Sequence, residues 1–258
     1  PEMVRMAGGV PVMVKGDEAN GFLVDADALR PHVTERTKAL ILNSPNNPSG
    51  SVCSRALLEG IAALAVEKQF YVISDEIYEK LIYDGEAHVS IASLGDEIRA
   101  QTIVVNGVSK SYAMTGWRIG YAAGPKAVIR AMTAFQSHST SNPNSIAQHA
   151  AAVALTNGEK FMHDSLVEFD ARRRLMHQLI SEIPGLSAAL PKGAFYMMLN
   201  ISALIGKSLN GRAIRGSDDF AEMLLESQKV AVVPARAFGD DRYVRLSYAT
   251  SRDKITLG

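Results

Sequence analysis

Short apolar runs alternate with helical patterns over the first half of the chain. The runs predict strands at 10–14, 38–43, 70–74, 102–106 and 117–122. Helices are predicted at 25–30, 54–69 and 125–138, beginning at Asp25 or Asp27, at Ser54 and at Pro125. These strands are nearly continuous in apolar residues, which is typical of strands buried on both faces. The pattern therefore predicts an α/β fold with three layers, a mostly parallel sheet covered by helices on both faces.

The pattern changes near residue 157. One long polar helix is predicted at 157–182, ended by Pro184 and Gly185. Short strands at 186–190, 194–199, 230–233 and 243–248, a loop at 206–217 and a helix at 218–228 follow without regular alternation. We therefore predict a large domain at 1–156 and a smaller α+β domain at 157–258 that the long helix enters.

Composition narrows the possible functions. The 27 basic and 27 acidic residues balance, so charge favours neither nucleic acid nor an anionic membrane as a partner. No apolar run is long enough to span a membrane. Cys53 is the single cysteine, which excludes an intrachain disulfide and fits a reducing, cytoplasmic location. The six histidines lack metal-ligand spacing, so no metal site is predicted.

The two ends suggest a fragment. The chain begins at Pro1, and only a short helix follows the capping residue Ser251. We therefore expect a chain truncated at both ends.

Polar residues follow three successive predicted strands. Asn47, Asp75 and Lys110 come after the second, third and fourth strands, and ligands of open α/β sheets bind at such strand ends. Each has an ordinary alternative: Asn47 as a turn residue, Asp75 as a helix cap, Tyr78 as a packing residue, and Lys110 and Arg118 in ion pairs. Together they supply an amide, a carboxylate, a phenol, an amine and a guanidinium, the groups that pyridoxal phosphate requires.

Four motifs resemble, in their order along the chain, those of one family. They are Asn43-Ser-Pro-Asn-Asn-Pro-Ser-Gly50, Ser74-Asp-Glu-Ile-Tyr78, the stretch from Ser109-Lys110 to Gly120, and Val244-Arg-Leu-Ser-Tyr-Ala-Thr-Ser251. They resemble the motifs of fold-type I pyridoxal-phosphate-dependent aminotransferases of class I and II, most closely the bacterial aspartate aminotransferases. The resemblance covers essentially the whole chain and implies the large domain of that fold.

The resemblance implies roles for the polar residues. Lys110 would hold the cofactor as a Schiff base and then move the substrate proton, and Asp75 would pair with the pyridine nitrogen. Tyr78 and Asn47 would hydrogen-bond the 3′ oxygen of the ring, and Arg118 would bind the phosphate.

Three further positions complete the implied site. Arg245 would bind the substrate α-carboxylate, Asn47 is expected to bind the substrate as well as the cofactor, and Ser109 would contact the cofactor. Gly107 stands where many relatives carry a phosphate-binding serine. In the family, residues that would precede Pro1 supply a phosphate loop, a ring-stacking aromatic and a tyrosine given across the dimer.

The implied activity is transfer of the amino group of an L-amino acid, aspartate first, to a 2-oxo acid such as 2-oxoglutarate. A ping-pong mechanism and a homodimer are expected. The alternatives are an aromatic or broad-specificity aminotransferase, a pyridoxal-phosphate-dependent lyase, and an aminotransferase-like sensor domain of a transcription regulator, because a fold alone does not fix function. The loop at 139–143 resembles one that approaches the partner subunit, and a plain helix-linking loop is the other interpretation.

Overall fold

The computed structural model describes residues 1–209 and 211–258, so Asn210 of the predicted 206–217 loop lies outside the described residues. The helices are α1 (Glu2–Met6), α2 (Ala26–Leu29), α3 (Arg55–Lys68), α4 (Asp96–Arg99), α5 (Lys126–Ser137), α6 (Ser145–Asn157), α7 (Glu159–Ser181), α8 (Ser217–Gln228) and α9 (Arg252–Leu257). The strands are β1 (Ala39–Asn43), β2 (Tyr71–Asp75), β3 (Thr102–Gly107), β4 (Gly120–Ala123), β5 (Tyr196–Asn200), β6 (Ser208–Leu209), β7 (Arg212–Ala213), β8 (Val233–Pro234) and β9 (Tyr243–Ser247). No helix in the described residues is long and apolar enough to cross a membrane.

The chain divides into two compact units. The first unit comprises Val33–Asp170 and Lys192–Ala194, and the second comprises Pro1–His32, Ala171–Pro191 and Phe195–Gly258. In the first unit, β1, β2 and β3 pair in parallel and β4 adds to β3 antiparallel, in the order β1-β2-β3-β4. This mixed sheet agrees with the predicted α/β class.

Helix α3 shows how local sequence determines an element of the first unit. The side chain of Ser54 accepts a hydrogen bond from the amide of Leu57 and caps the helix, as predicted. Leu58, Ile61 and Leu64 lie on one face and are almost completely buried. Burying an aliphatic side chain of this size contributes about 1.5–3 kcal/mol.

The second unit contains an antiparallel sheet in the order β5-β9-β8. The boundary between the two units differs in two respects from the domain boundary predicted at 156/157. Residues 156 and 157 are the last two of helix α6, and the units instead divide within helix α7, between Asp170 and Ala171. Residues 1–32 belong to the second unit, because Glu18 accepts hydrogen bonds from Asn200 Nδ2 at 2.7 Å and from the hydroxyl of Tyr243 at 3.0 Å.

Four predicted strands differ from the structure, and the one at 230–233 is observed only as β8, Val233–Pro234. Residues 10–14 form no strand; Val10 and Val12 are exposed, and Pro11 has no N–H to donate. The predicted strand at 117–122 begins only at Gly120, since residues 115–117 form a 3₁₀ turn. Residues 186–190 form no strand beyond an isolated bridge from Ser187 to Asn200.

Candidate active site

Asn43, the last residue of β1, joins two of the predicted site residues. Its side-chain amide donates to the carbonyl oxygen of Asp75 at 3.0 Å, and its Oδ1 accepts from the amide of Asn47 at 2.8 Å. Asn43 also lies opposite Asp75 in the parallel β1–β2 register. The turn after β1 is therefore fastened beside the end of β2, where a ligand of an open α/β sheet would bind.

The segment after β2 carries a carboxylate and a phenol. Asp75 ends the strand, and its Oδ1 accepts a hydrogen bond from the amide of Ile77 at 3.2 Å. Tyr78 is buried, with 3% of its surface exposed. The carbonyl oxygen of Tyr78 accepts from the amide of Leu81 at 2.8 Å, so the chain turns directly after the phenol.

Lys110 lies in a tight turn after β3. The amide of Tyr112 donates to the carbonyl oxygen of Val108, and the amide of Ala113 donates to that of Lys110. Val108 and Ser111 are buried, whereas Lys110 and its neighbour Ser109 are half-buried. The amine of Lys110 therefore reaches a partly desolvated space from an anchored backbone.

Arg118 follows the 3₁₀ turn at 115–117 and adopts a left-handed backbone, with φ of 56°. Its Nη1 donates to the carbonyl oxygen of Thr115 at 2.8 Å. This contact uses one of the five N–H donors of the guanidinium, and the other four can donate to an anion.

Gly107, the position at which many relatives carry a serine, is closely packed against β4. Gly107 pairs with Gly120 in the β3–β4 register. A Cβ atom at Gly107 would lie 2.8 Å from the carbonyl oxygen of Ile119 and 3.1 Å from the Cα of Gly120. In this structure a serine at position 107 would therefore force the two strands apart.

One open cleft of about 660 Å³ in the first unit brings together all six residues predicted to bind a cofactor. They are Asn47, Asp75, Tyr78, Ser109, Lys110 and Arg118. A second cleft of about 600 Å³ shares Arg118 and is also lined by Trp117 and Pro143. Arg245 belongs to the second unit and is described separately.

The charges of the cleft act on Asp75. Burial raises the pKa of the Asp75 carboxyl, and the neighbouring Glu76 carboxylate adds to the rise. The hydrogen bond from Ile77 and the positive charge of Lys110 oppose it, and the net direction is upward. Asp75 is therefore a carboxylate that folding partly desolvates, which is common at functional sites.

Arg245 lies in the middle of the second unit's sheet, opposite Met198 of β5 and Val233 of β8. Its guanidinium carbon lies 4.4 Å from the ring centroid of Tyr196 and 5.4 Å from that of Phe238. Aromatic faces hold a guanidinium in a fixed plane, and a fixed plane suits two-bond recognition of a carboxylate.

Sequence reasoning missed several residues that support the cleft. Asn43 and Glu76 belong to the motifs described above, but no function was predicted for them from the sequence. No function was predicted either for His88 and Ser90, which hydrogen-bond Glu76. Trp117, the first residue of the strand predicted at 117–122, lies instead in a 3₁₀ turn and is 46% exposed. The 139–143 loop links α5 to α6.

One cluster has ligand-type atoms close enough for a metal ion. Glu76, Glu79 and His88 each contribute one such atom, and these atoms lie within 4.8 Å of one another. Glu76 already accepts hydrogen bonds from Ser74, His88 and Ser90. These bonds account for the carboxylate without a metal ion, and the absence of a metal site stays a prediction.

The donor set of the cleft fits pyridoxal phosphate. An amine can form a Schiff base with an aldehyde, a carboxylate can pair with a protonated ring nitrogen, and a phenol and an amide can hydrogen-bond a ring oxygen. A guanidinium with a neighbouring hydroxyl suits a phosphate group. Fold and cleft thus define an α/β protein equipped for amine and carbonyl chemistry.

Comparison with known proteins agrees with this class. The family model described as aminotransferase class I and II matches residues 1–256. The chain is 46% identical to an aspartate aminotransferase of Geobacillus stearothermophilus over 99% of its own length and 64% of that relative. The chain therefore belongs to the class I and II aminotransferases, which depend on pyridoxal phosphate.

Solved structures give the same result. The aspartate aminotransferase of Rhizobium meliloti superimposes with a TM-score of 0.95 at 40% identity, over 99% of this chain and 64% of that one. An aromatic aminotransferase of Pyrococcus horikoshii superimposes with a TM-score of 0.90 at 43% identity, over 98% of this chain and 66% of that one. The chain thus spans 64% of the length of the first relative and of the first structure described here.

Proposed function

We propose that this chain is the larger part of a pyridoxal-phosphate-dependent aminotransferase that moves the amino group of an L-amino acid to a 2-oxo acid in a ping-pong reaction. The observation that carries the proposal is the common cleft of Lys110, Asp75 and Arg118. An amine, a carboxylate and a guanidinium around one space are more than separate structural ion pairs require.

When bound, pyridoxal phosphate supplies an electron sink that stabilises negative charge at the substrate α-carbon. Asp75 would hold a proton on the pyridine nitrogen, and its carboxylate is fixed for this by the amide of Ile77. Tyr78 and Asn47 would hydrogen-bond the 3′ oxygen. Arg118 and Ser109 would bind the phosphate, with Arg118 contributing most of the charge.

Lys110 would act twice. Its amine would bind the cofactor covalently and, once a substrate amine displaces it, would take and return the proton at the substrate α-carbon. The anchored turn at 108–113 holds the backbone of Lys110 while the side chain moves. Arg245, on the faces of Tyr196 and Phe238, would bind the α-carboxylate that all amino acids share.

Aspartate with 2-oxoglutarate is the substrate pair that we propose first. The family and the name of the Geobacillus relative support it. An aromatic amino acid is the second candidate, because the Pyrococcus structure with a TM-score of 0.90 is named an aromatic aminotransferase. A homodimer and a cytoplasmic location complete the proposal.

The direct test is transfer of label. The purified 258-residue chain with pyridoxal phosphate is given ¹⁵N-labelled aspartate or phenylalanine with 2-oxoglutarate, and ¹⁵N-glutamate is measured. Faster labelling from aspartate supports the first pair, and faster labelling from phenylalanine supports the second. Release of ammonia and a 2-oxo acid without labelled glutamate would contradict amino transfer and indicate a lyase.

A further inference from the structure

A buried polar cluster lies behind the strand that carries Asp75. Side chains alternate between the faces of a strand, and neither Ser74 nor Glu76 lines the cleft. Glu76 is 4% exposed. Its Oε1 accepts from the hydroxyls of Ser74 at 2.9 Å and Ser90 at 2.7 Å, and its Oε2 lies 2.9 Å from His88 Nε2. We call Ser74, Glu76, His88 and Ser90 the Glu76 cluster.

His88 is attached to the cluster through one ring nitrogen. Its Nδ1 is buried and has no hydrogen-bond partner among the described residues. The contact between Nε2 and Glu76 is therefore the one hydrogen bond that holds the ring in place within the part of the chain that the structure describes.

Three side chains hydrogen-bond the Glu76 carboxylate and favour its charged form. Burial raises the pKa of the Glu76 carboxyl, but the hydrogen bonds from His88, Ser90 and Ser74 and the electrostatic interaction with His88 outweigh burial, and the net direction is downward. Glu79 and Asp75 are the other carboxyl groups nearby. A buried carboxylate held in this way fixes the chain that carries it.

The chain that Glu76 fixes is the one between Asp75 and Tyr78. The amide of Glu76 donates to the carbonyl oxygen of Val105 in β3 at 2.9 Å, and its own carbonyl oxygen accepts from the amide of Glu79 at 2.9 Å. The side chain adds two attachments, at His88 and Ser90, that close the loop after β2. Both flanking cleft residues thus depend on a residue that does not face the cleft.

We propose that Glu76, held by Ser74, His88 and Ser90, is a positioning residue that keeps Asp75 and Tyr78 in the arrangement in which they bind the cofactor. The inference rests on the proposed function, since it assigns these two residues to the cofactor. None of Ser74, Glu76, His88 and Ser90 lines the cleft. The cluster acts by keeping the cleft ordered before a ligand binds. A loosely held loop must become ordered on binding, and the entropy lost in that step lowers the affinity for the ligand.

The first part of the test needs no cofactor. Hydrogen exchange at the amides of Glu76 and Glu79 is measured in the unaltered chain, His88→Ala, His88→Gln and Ser93→Ala. Ser93 is the matched control, because its exposed hydroxyl donates to the carbonyl oxygen of Ser90 and not to Glu76. We expect exchange to accelerate about tenfold in His88→Ala. In His88→Gln, which restores a hydrogen-bond donor, the exchange rate should return most of the way to that of the unaltered chain. In Ser93→Ala the rate should stay unchanged.

The second part measures the dissociation constant of pyridoxal phosphate and the absorption spectrum of the bound form in the same four proteins. We expect a dissociation constant about tenfold higher and an altered band in His88→Ala, with recovery in His88→Gln. Equal affinity and an unchanged band in His88→Ala, in a chain whose unaltered form binds, would overturn the positioning role. An unaltered chain that does not bind pyridoxal phosphate would instead contradict the proposed function.

Discussion

Asp75 shows the conflict between stability and function at the scale of one residue. The role proposed for the carboxylate is to pair with the ring nitrogen of the cofactor, and burial in the cleft raises its pKa. A carboxyl group with a raised native pKa binds more protons in the folded than in the unfolded state, so stability falls as the pH rises from the ordinary carboxyl range through the raised value. Cofactor binding would recover that loss.

We predict that Asp75→Asn stabilises the cofactor-free chain at neutral pH, because it removes the partly desolvated charge. The difference from the unaltered chain should shrink as the pH falls below the ordinary carboxyl range, where Asp75 is protonated in both states. Urea unfolding at pH 7 and in the acid range measures it, with exposed Asp27→Asn as control. A less stable Asp75→Asn protein at pH 7 would contradict this explanation.

Substitution of Arg118 tests binding of the cofactor's phosphate group separately from binding of the rest of the cofactor. Removing a hydrogen-bond partner of a charged group costs about 1.5–3 kcal/mol. Arg118→Ala should therefore weaken pyridoxal phosphate about tenfold to hundredfold and leave pyridoxal, which has no phosphate, almost unaffected. Titrations of both compounds measure the effect. Equal losses for the two would mean that Arg118 supports the fold of the cleft rather than the phosphate.

At the scale of elements, helix α8 depends on a residue far from it in the sequence. The amide and the hydroxyl of Ser217 donate to Asp241 Oδ1, at 2.9 and 2.6 Å. A Cβ atom at the preceding Gly216 would lie 2.3 Å from Asp241 Oδ2. The carboxylate cannot move aside without leaving Ser217, so the glycine and the aspartate act together at this helix start.

We predict that Gly216→Ala lowers the free energy of unfolding by about 1–3 kcal/mol, the usual cost of forcing extra volume into a packed site. Gly116→Ala is the control, since a Cβ atom there meets nothing within 4 Å. Urea unfolding compares the two. If both substitutions have the same small effect, the close contact at Asp241 does not limit this helix.

The same scale shows which elements the sequence could predict. Strands β1, β2 and β3 and helix α3 were found because their signals are local: apolar runs, a capping Ser54 and turn residues. Helix α6 was missed because it buries only the small residues Ala147 and Ala151, which give little periodic contrast. Residues 10–14 have a strand-like composition, but no strand among the described residues pairs with them.

Part of the site was predictable for a similar reason. Asn47, Asp75 and Lys110 each follow a strand that the pattern reveals, and the parallel order brings their strand ends to one edge. The Glu76 cluster could not be read in this way. Glu76 meets His88 and Ser90 only after a loop of more than ten residues closes, and nothing local in the sequence marks that closure.

At the scale of the whole molecule, the residues proposed for the cofactor and for the substrate carboxylate are divided between two compact units. The cofactor residues lie in the first unit, and Arg245 lies in the second. The N-terminal residues 1–32 belong to the second unit through Glu18, although they come first in the chain.

The proposed function depends most on Lys110, which we propose binds pyridoxal phosphate covalently. Absorption spectra of the unaltered chain, Lys110→Ala and the exposed control Lys126→Ala test it, each with added pyridoxal phosphate. We predict a band near the visible edge that changes with pH and shifts when aspartate is added, in the unaltered and control proteins only. A band of equal strength in Lys110→Ala would contradict the role of Lys110 and the mechanism that depends on it.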